Sequence, residues 1–366
     1  MCIITDAYRY KVLAILCDGF DAAVAEPRLY SAAENELGLR QFLESQGHEY
    51  IVFSAKDGAE DGFGKLIGDT DVLITIPFYS TVLTREFFEK AKNLKICIVA
   101  GVGFDHIDLN AALVHSVQVL EVSGASVVSI AEQVVMSILL LVRNFTTAHE
   151  MVEGGEWQLS HIARNAFDLE NKVVGIIGTG RIGYSILERL VPFDCQLLYW
   201  DDNPLKLEEQ EQAVNVRRIR DLKEFVSLCD VIVVSIPLHE GTISLVNREL
   251  LSHFRKGTWL VNCARGAICN MDDVAAALRS GHLRGYAGDS WNIHPAPKDH
   301  PWRSMKNPLH GGNCMTPHYS ALTLDAQARY ARGVKTILER FFAGEDQDPD
   351  DVVVGVGQSL RKVCGQ

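Results

Sequence analysis

The sequence predicts an α/β protein of two doubly wound parallel sheets with a crevice between them. Three observations carry this. Short apolar runs alternate with amphipathic segments through both halves of the chain, which is how parallel strands joined by helices read. One run, Val173 to Ile177, passes through Gly178, Gly180 and Gly183 at the G-x-G-x-x-G spacing into a helix starting near Arg181. The length of 366 residues is long for one core and comfortable for two domains.

In order, residues 11–17 form an opening strand, and Ala33 to Gly47 carries an apolar helical stripe (Leu37, Leu39, Phe42, Leu43) with Gly47 as its stop. Strands follow at Glu49 to Ser54 and Asp71 to Ile76, the latter ending in Pro77, Phe78 and Tyr79. A helix from Thr84 to Lys92 leads to the strand Lys95 to Ala100 and the turn Gly101 to Asp108. Residues 129–153 read as one long helix with Ser129 as N-cap, apolar nearly all round its middle and therefore a bridge between domains. Beyond the glycine turn, strands are expected at Gln196 to Trp200, Asp230 to Pro237, Thr258 to Asn262 and Gly285 to Asp289, with helices at Leu222 to Leu228 and Asp272 to Ser280. A final helix, Thr323 to about Phe342, runs back to the first domain, followed by an acidic tail over 345–351. The expected division is a flavodoxin-like domain, 1–125 plus 320–366, with a Rossmann domain, 126–319, inserted in it.

Composition excludes several classes. The content of 47% hydrophobic and 22% charged residues suits a soluble globular chain, and a net charge of -12 argues against a nucleic-acid surface. The longest apolar run, Val134 to Val142, is far shorter than a membrane span. Nine dispersed cysteines without a C-x-x-C pair read as reduced thiols, and with no targeting segment the cytoplasm is expected.

The glycines of the turn serve three separate ends, namely a tight bend, room for a pyrophosphate, and close packing of helix on strand. The helix start adds free N–H groups and a positive dipole end. About twenty residues on, Asp201 and Asp202 end a strand where a carboxylate meets the adenosine ribose hydroxyls. With no basic residue before Lys206, a 2′-phosphate is disfavoured and NAD is preferred to NADP. The rival reading of Asp201 is an acid capping a turn. Arg265, Asp289 and His318 fall at strand ends, where ligands of such sheets sit. Arg265 reads as a fork for a carboxylate or as a surface ion pair. His318 reads as a base or hydrogen-bond donor or as a plain loop histidine, and Asp289 as a cofactor ligand or a strand-end cap. Asp105 and His106 read as structural.

The stretches Glu34 to Gly38, Ala100 to Leu109, Gly178 to Gly183, Val261 to Ala267 and Pro295-Ala-Pro-Lys-Asp-His-Pro-Trp-Arg303 resemble NAD-dependent formate dehydrogenase of the fungal type, within the D-2-hydroxyacid dehydrogenase superfamily. The resemblance spans about 11 to 342. It implies formate oxidation by NAD in a metal-free homodimer, with the substrate between the domains. Position by position, it implies that Arg265 binds the carboxylate and His318 orients it. Phe78, Val102, Ser126 and His294 would line the substrate pocket. Gly178, Gly180, Arg181, Ile182, Gly183, Asp201, Pro237, Leu238, His239, Glu240, Gly241, Cys263, Asp289, Tyr319, Ser320 and Ala321 would line the cofactor site.

Four positions depart from the family pattern. Ser126 stands for an asparagine that grips formate, His294 for a glutamine paired with the catalytic histidine, Phe104 for a turn serine, and Ala321 for the glycine of a His-Ile-Ser-Gly segment. Losing one charge-assisted donor removes about 1.5–3 kcal/mol of anion binding. Two further readings therefore accompany formate oxidation: NADH-dependent reduction of another small 2-keto acid, and an NAD-responsive binding protein without turnover.

Overall fold

The computed structural model describes residues 8–54, 64, 66–77, 82–203, 205 and 208–355. Phe78, Tyr79 and Lys206 lie outside the described residues. The chain divides into two compact units, one formed by 1–126 with 321–366 and the other by 127–320.

The first unit runs β1 (Lys11–Leu16), α1 (Phe20–Ala25), α2 (Arg40–Ser45), β2 (Glu49–Ser54), β3 (Val72–Thr75), α3 (Arg85–Lys90), β4 (Ile96–Val99), α4 (Leu109–Val114) and β5 (Gln118–Glu121). The stripe expected as one helix over 33–47 breaks in two. A 3-10 turn, Glu36–Gly38, precedes α2, because Glu36 and Leu37 both take φ of 54°. Gly47 does stop α2, at φ 83°. α4 and β5 went unrecognised in the sequence.

The second unit runs α5 (Val127–Val142), α6 (Phe145–Glu153), α7 (Leu159–Ala163), β6 (Val173–Ile177), α8 (Arg181–Leu190), β7 (Gln196–Trp200), α9 (Glu208–Val214), β8 (Val216–Arg218), α10 (Leu222–Leu228), β9 (Val231–Val234), α11 (Arg248–Ser252), β10 (Thr258–Asn262), α12 (Met271–Arg279), β11 (Leu283–Gly288) and β12 (Asn313–Met315). The single helix expected over 129–153 is two, α5 and α6, set at 68°. Asn144, with φ 54°, sits in the left-handed region between them and ends the α5 ladder. Ser129 is not an N-cap, since α5 already begins at Val127. Among the described residues no single helix is long and apolar enough to cross a membrane.

The chain returns to the first unit through α13 (Leu324–Ala343), capped by Thr323, whose side chain accepts from the Ala326 N–H. The acidic stretch 345–351 leads into β13 (Val352–Val354), which pairs antiparallel with β5. The first sheet is ordered β13-β5-β4-β3-β1-β2, parallel but for β13. The second is ordered β12-β11-β10-β9-β6-β7-β8 and parallel throughout. That is the doubly wound order reversing between β6 and β9, the switch point where ligands bind at strand carboxyl ends. Both sheets are buried on two faces, so their strands read as continuous apolar runs. One face of the first sheet is covered by Ala326, Tyr330, Val334, Ile337 and Leu338 of α13, and the second unit centres on Ile177, Phe225, Val234, Leu260, Tyr286 and Trp302.

Candidate active site

The glycine turn after β6 is built as the spacing requires. Gly178 has φ of 92°, and a Cβ there would meet Ser235 O at 2.6 Å. A Cβ on Gly183 would lie 2.0 Å from Gly178 O, so only glycine lets α8 seat against the turn. Gly180 differs: a Cβ there would meet nothing within 4 Å, which leaves its flank open for a ligand. Gly180 is also the N-cap of α8 and supplies no side-chain cap, and a helix start of this kind is where phosphates are bound. The residues therefore fit a dinucleotide.

Asp201 ends β7 and accepts from Thr179 N at 2.7 Å and Asn203 N at 2.9 Å. It ties the glycine turn to the end of β7, as the capping reading of this carboxylate expects. Sequence reasoning missed Arg218. Its Nη2 donates to the carbonyls of Asp201 (2.7 Å) and Asp202 (2.9 Å), and its buried Nε has no partner among the described residues. Only β8, added at the edge of the sheet, brings this residue back to Asp201. Thr242 was missed too: its hydroxyl donates to Pro237 O at 2.8 Å and accepts from His239 N at 2.9 Å, pinning the loop Pro237, Leu238, His239, Glu240, Gly241. Gly241 N donates to His239 Nδ1 at 3.2 Å. Behind this loop, Cys263 donates from Sγ to Val234 O at 3.2 Å, and burial pushes its thiol up to about 12. It is a packing residue rather than a nucleophile.

Arg265 follows β10 in a loop bracketed by Asn262, which donates to Arg265 O at 3.0 Å and accepts from Ala264 N at 3.0 Å. The next residue must be glycine, because a Cβ on Gly266 would strike the Trp291 backbone at 2.3 Å. Arg265 is half-buried, not turned to solvent. Ser290 joins its loop to the histidine: the hydroxyl donates to Ala264 O at 2.9 Å and lies 3.4 Å from His318 Nε2.

His318 Nδ1 is 3.0 Å from His294 Nε2, which also accepts from Trp291 N at 3.3 Å. A backbone N–H can only donate, so His294 Nε2 is the acceptor and His318 Nδ1 carries the shared proton. Although His294 is exposed as a residue, the protein packed around its ring lowers its pKa, helped by the Arg265 guanidinium and opposed by Asp289. A neutral His294 is what two incoming N–H groups need.

His318 has φ of 60°, and Asp289 holds the loop in that shape. Its Oδ1 accepts from Thr316 Oγ1 at 2.6 Å and Tyr319 N at 3.0 Å, and its Oδ2 from Ser320 N at 2.7 Å. These bonds are the ones expected of the cap among its two sequence readings. Trp291 Nε1 donates to Thr316 O at 2.8 Å and braces the same loop.

The remaining residues belong to the first unit, and Phe78 lies outside the described residues. Val102 is half-buried in the turn after β4, where Gly103 N donates to Glu121 Oε2 at 3.0 Å. Phe104 packs on that unit's core beside Ile107 and Leu83. His106 Nε2 lies 3.4 Å from Thr75 Oγ1, in keeping with a structural role. Ser126 is 1% exposed and lies beside Tyr330, yet neither hydroxyl finds a partner of normal geometry among the described residues. Ala321 is buried. Among the described residues no cluster of His, Cys, Asp and Glu is placed to hold a metal ion.

Residues 135–320 match the model of the D-isomer specific 2-hydroxyacid dehydrogenase NAD binding domain. A curated formate dehydrogenase from Candida boidinii is 51% identical, covering 97% of this chain and 99% of its own. Among solved structures, a Granulicella formate dehydrogenase is 36% identical with a TM-score of 0.88, covering 97% of this chain and 100% of the other. NAD-dependent formate dehydrogenase from Staphylococcus aureus, solved in complex with NAD, is 41% identical with a TM-score of 0.85, covering 95% and 100%.

Proposed function

The chain belongs to the formate dehydrogenases of the D-isomer specific 2-hydroxyacid dehydrogenase family, and from that premise we propose that it oxidises formate to CO₂ while reducing NAD⁺ to NADH. The observation that carries the reading is the Ser290 link, which sets the Arg265 loop and the His318 ring side by side at strand carboxyl ends of one unit. We take 127–320 as the cofactor unit and the rest as the substrate unit, with Phe78, Val102 and Ser126 contributing to the substrate site.

NAD⁺, when bound, supplies the acceptor for the hydride that leaves C1 of formate. Gly178, Gly180, Arg181, Ile182 and Gly183 would hold its pyrophosphate and Asp201 its adenosine ribose, with Pro237 to Gly241, Cys263, Asp289 and Tyr319 to Ala321 around the rest. Formate has no hydroxyl, so no side chain has to take a proton. The chain binds and orients: Arg265 forks the carboxylate, His318 fixes its rotation, and the walls exclude water. Losing the fork removes charge-assisted bonds worth about 1.5–3 kcal/mol each, so Arg265→Gln should lower kcat/KM for formate by roughly a hundredfold or more with NAD⁺ affinity kept. The test of the whole reading is NADH formation from formate, followed by absorbance. Absence of turnover at high formate with NAD⁺ binding intact rejects it.

Both ring nitrogens of His318 face acceptors, the arrangement a proton-donating ring needs, and this favours a second reading: NADH-dependent reduction of a small 2-keto acid. NADH consumption with glyoxylate and pyruvate decides between them. A cytosolic homodimer completes the proposal. Free thiols at the seven described cysteines support the compartment, and apolar side chains exposed on α6 and α7 support the pairing.

A further inference from the structure

At the amino ends of β10 and β11, opposite the carboxyl ends that carry Arg265 and Asp289, the second unit has a cavity of about 390 Å³. Arg284, second residue of β11, lines it together with Lys256, Asn165 and Asn307. Its guanidinium lies 4.4 Å from the ring centre of Phe167 and 5.4 Å from that of Trp259. Among the described residues it makes only two long hydrogen bonds, to Gly257 O and Asn165 Oδ1, both at 3.4 Å. Gly257 has φ of 88°, and a Cβ there would sit 3.0 Å from Arg284 Nη2, so the turn is shaped to admit the guanidinium.

A partly buried cation is ordinarily matched by a carboxylate. Among the described residues none pairs with Arg284, and no acid lines the cavity. Burial accordingly lowers the pKa of the guanidinium, with no acid opposing it. The cavity thus holds two cations and no anion in a chain of net charge -12. Its volume lies in the range of small-molecule sites, roughly 300–1,000 Å³, and exceeds what a lone inorganic ion fills.

We propose that this cavity binds a small organic oxyanion, a polycarboxylate or a phosphate ester, whose charged group forks onto Arg284 while Lys256 neutralises a second charge. The site lies at the other end of the strands from the glycine turn, so the ligand binds without displacing the cofactor.

The experiment titrates the full-length protein with citrate and, separately, with glycerol 3-phosphate, against potassium chloride at matched ionic strength. Tryptophan fluorescence is the readout, Trp259 lying beside Arg284, and each variant is titrated separately. The expected result is a saturable change with one or both oxyanions and none with chloride. It should weaken by about tenfold or more in Arg284→Gln and by severalfold in Lys256→Ala, and be unchanged by saturating NADH. The arm that saturates names the ligand class. Should Arg284→Gln fail to fold, Lys256→Glu, at an exposed side chain, takes its place and must abolish the change. An identical titration in the variants, a response that chloride reproduces, or competition with NADH overturns the proposal. Because the readout is binding and not turnover, loss of the formate reading leaves this result standing, and the reverse.

Discussion

At the scale of residues, the chemistry turns on two substitutions within one family frame. Ser126 has a shorter reach than an amide, and its buried hydroxyl has no settled partner among the described residues. His294 occupies a place where a glutamine would offer a carbonyl at every pH. Ser126→Asn combined with His294→Gln should therefore raise formate turnover, by tenfold or so if one charge-assisted contact worth about 1.5 kcal/mol is regained. Unchanged or lower turnover would mean that the pocket is tuned to a different acid. The pair also has a sign with pH. His294 is neutral when it accepts from Trp291 and His318, and its pKa lies below the ordinary value of about 6.5. The interaction is thus complete above that value and is lost as pH falls through the lowered pKa, when Nε2 gains a proton and repels both donors. With Arg265 and Asp289 as the other charges facing the ring, kcat/KM should drop on the acid side, and His294→Gln should move or remove that limb. A limb unchanged in the variant assigns the titration elsewhere. The pairing was legible only through the family resemblance, which puts His294 where a glutamine meets the histidine; spacing alone hides it, because the two stand 24 residues apart and meet through the β11 and β12 loops.

At the scale of elements, strands buried on both faces were the most legible. β2, β6, β7 and β10 have the bounds their apolar runs announce, and α10 likewise. What was not legible depended on single backbone angles or on pairing across the chain. Asn144 breaks an otherwise uniform apolar helix, α4 is only six residues long, and β13 is hidden behind an acidic stretch because its reason to exist is the edge of β5. Arg218 belongs to the same class, since its partners are backbone carbonyls far away in sequence. The glycine turn allows a sharp prediction. In Gly183→Ala the added methyl meets Gly178 O, a backbone atom with no rotamer to change. Stability should fall by about 1–3 kcal/mol, read by denaturant unfolding, and NAD⁺ affinity should fall with it, read by fluorescence titration. Gly180→Ala, which meets nothing in the protein, should fold normally and lose affinity only. Equal unfolding curves for wild type and Gly183→Ala would show that α8 can shift to accommodate the methyl.

At the scale of the molecule, exposed apolar side chains are unevenly spread. Phe145, Val152, Trp157 and Leu159 crowd one short stretch, with Trp157 and Leu159 at 77% and 72% exposure. A patch of that kind is ordinarily covered. Light scattering on the eluted protein should give twice the 40.6 kDa chain mass, and Trp157→Ser with Leu159→Ser should shift it toward the monomer. A dimer indifferent to both changes would place the interface on another face. The path of the chain has one more consequence. α13 and β13 complete the first unit after the whole of the second has intervened, and Ala326, Tyr330, Val334, Ile337 and Leu338 are core residues of that first sheet. On the ribosome, then, the segment that emerges first must wait with one sheet face bare. The inserted unit has every strand it needs and can mature earlier, so the order of birth and the order of maturation are reversed.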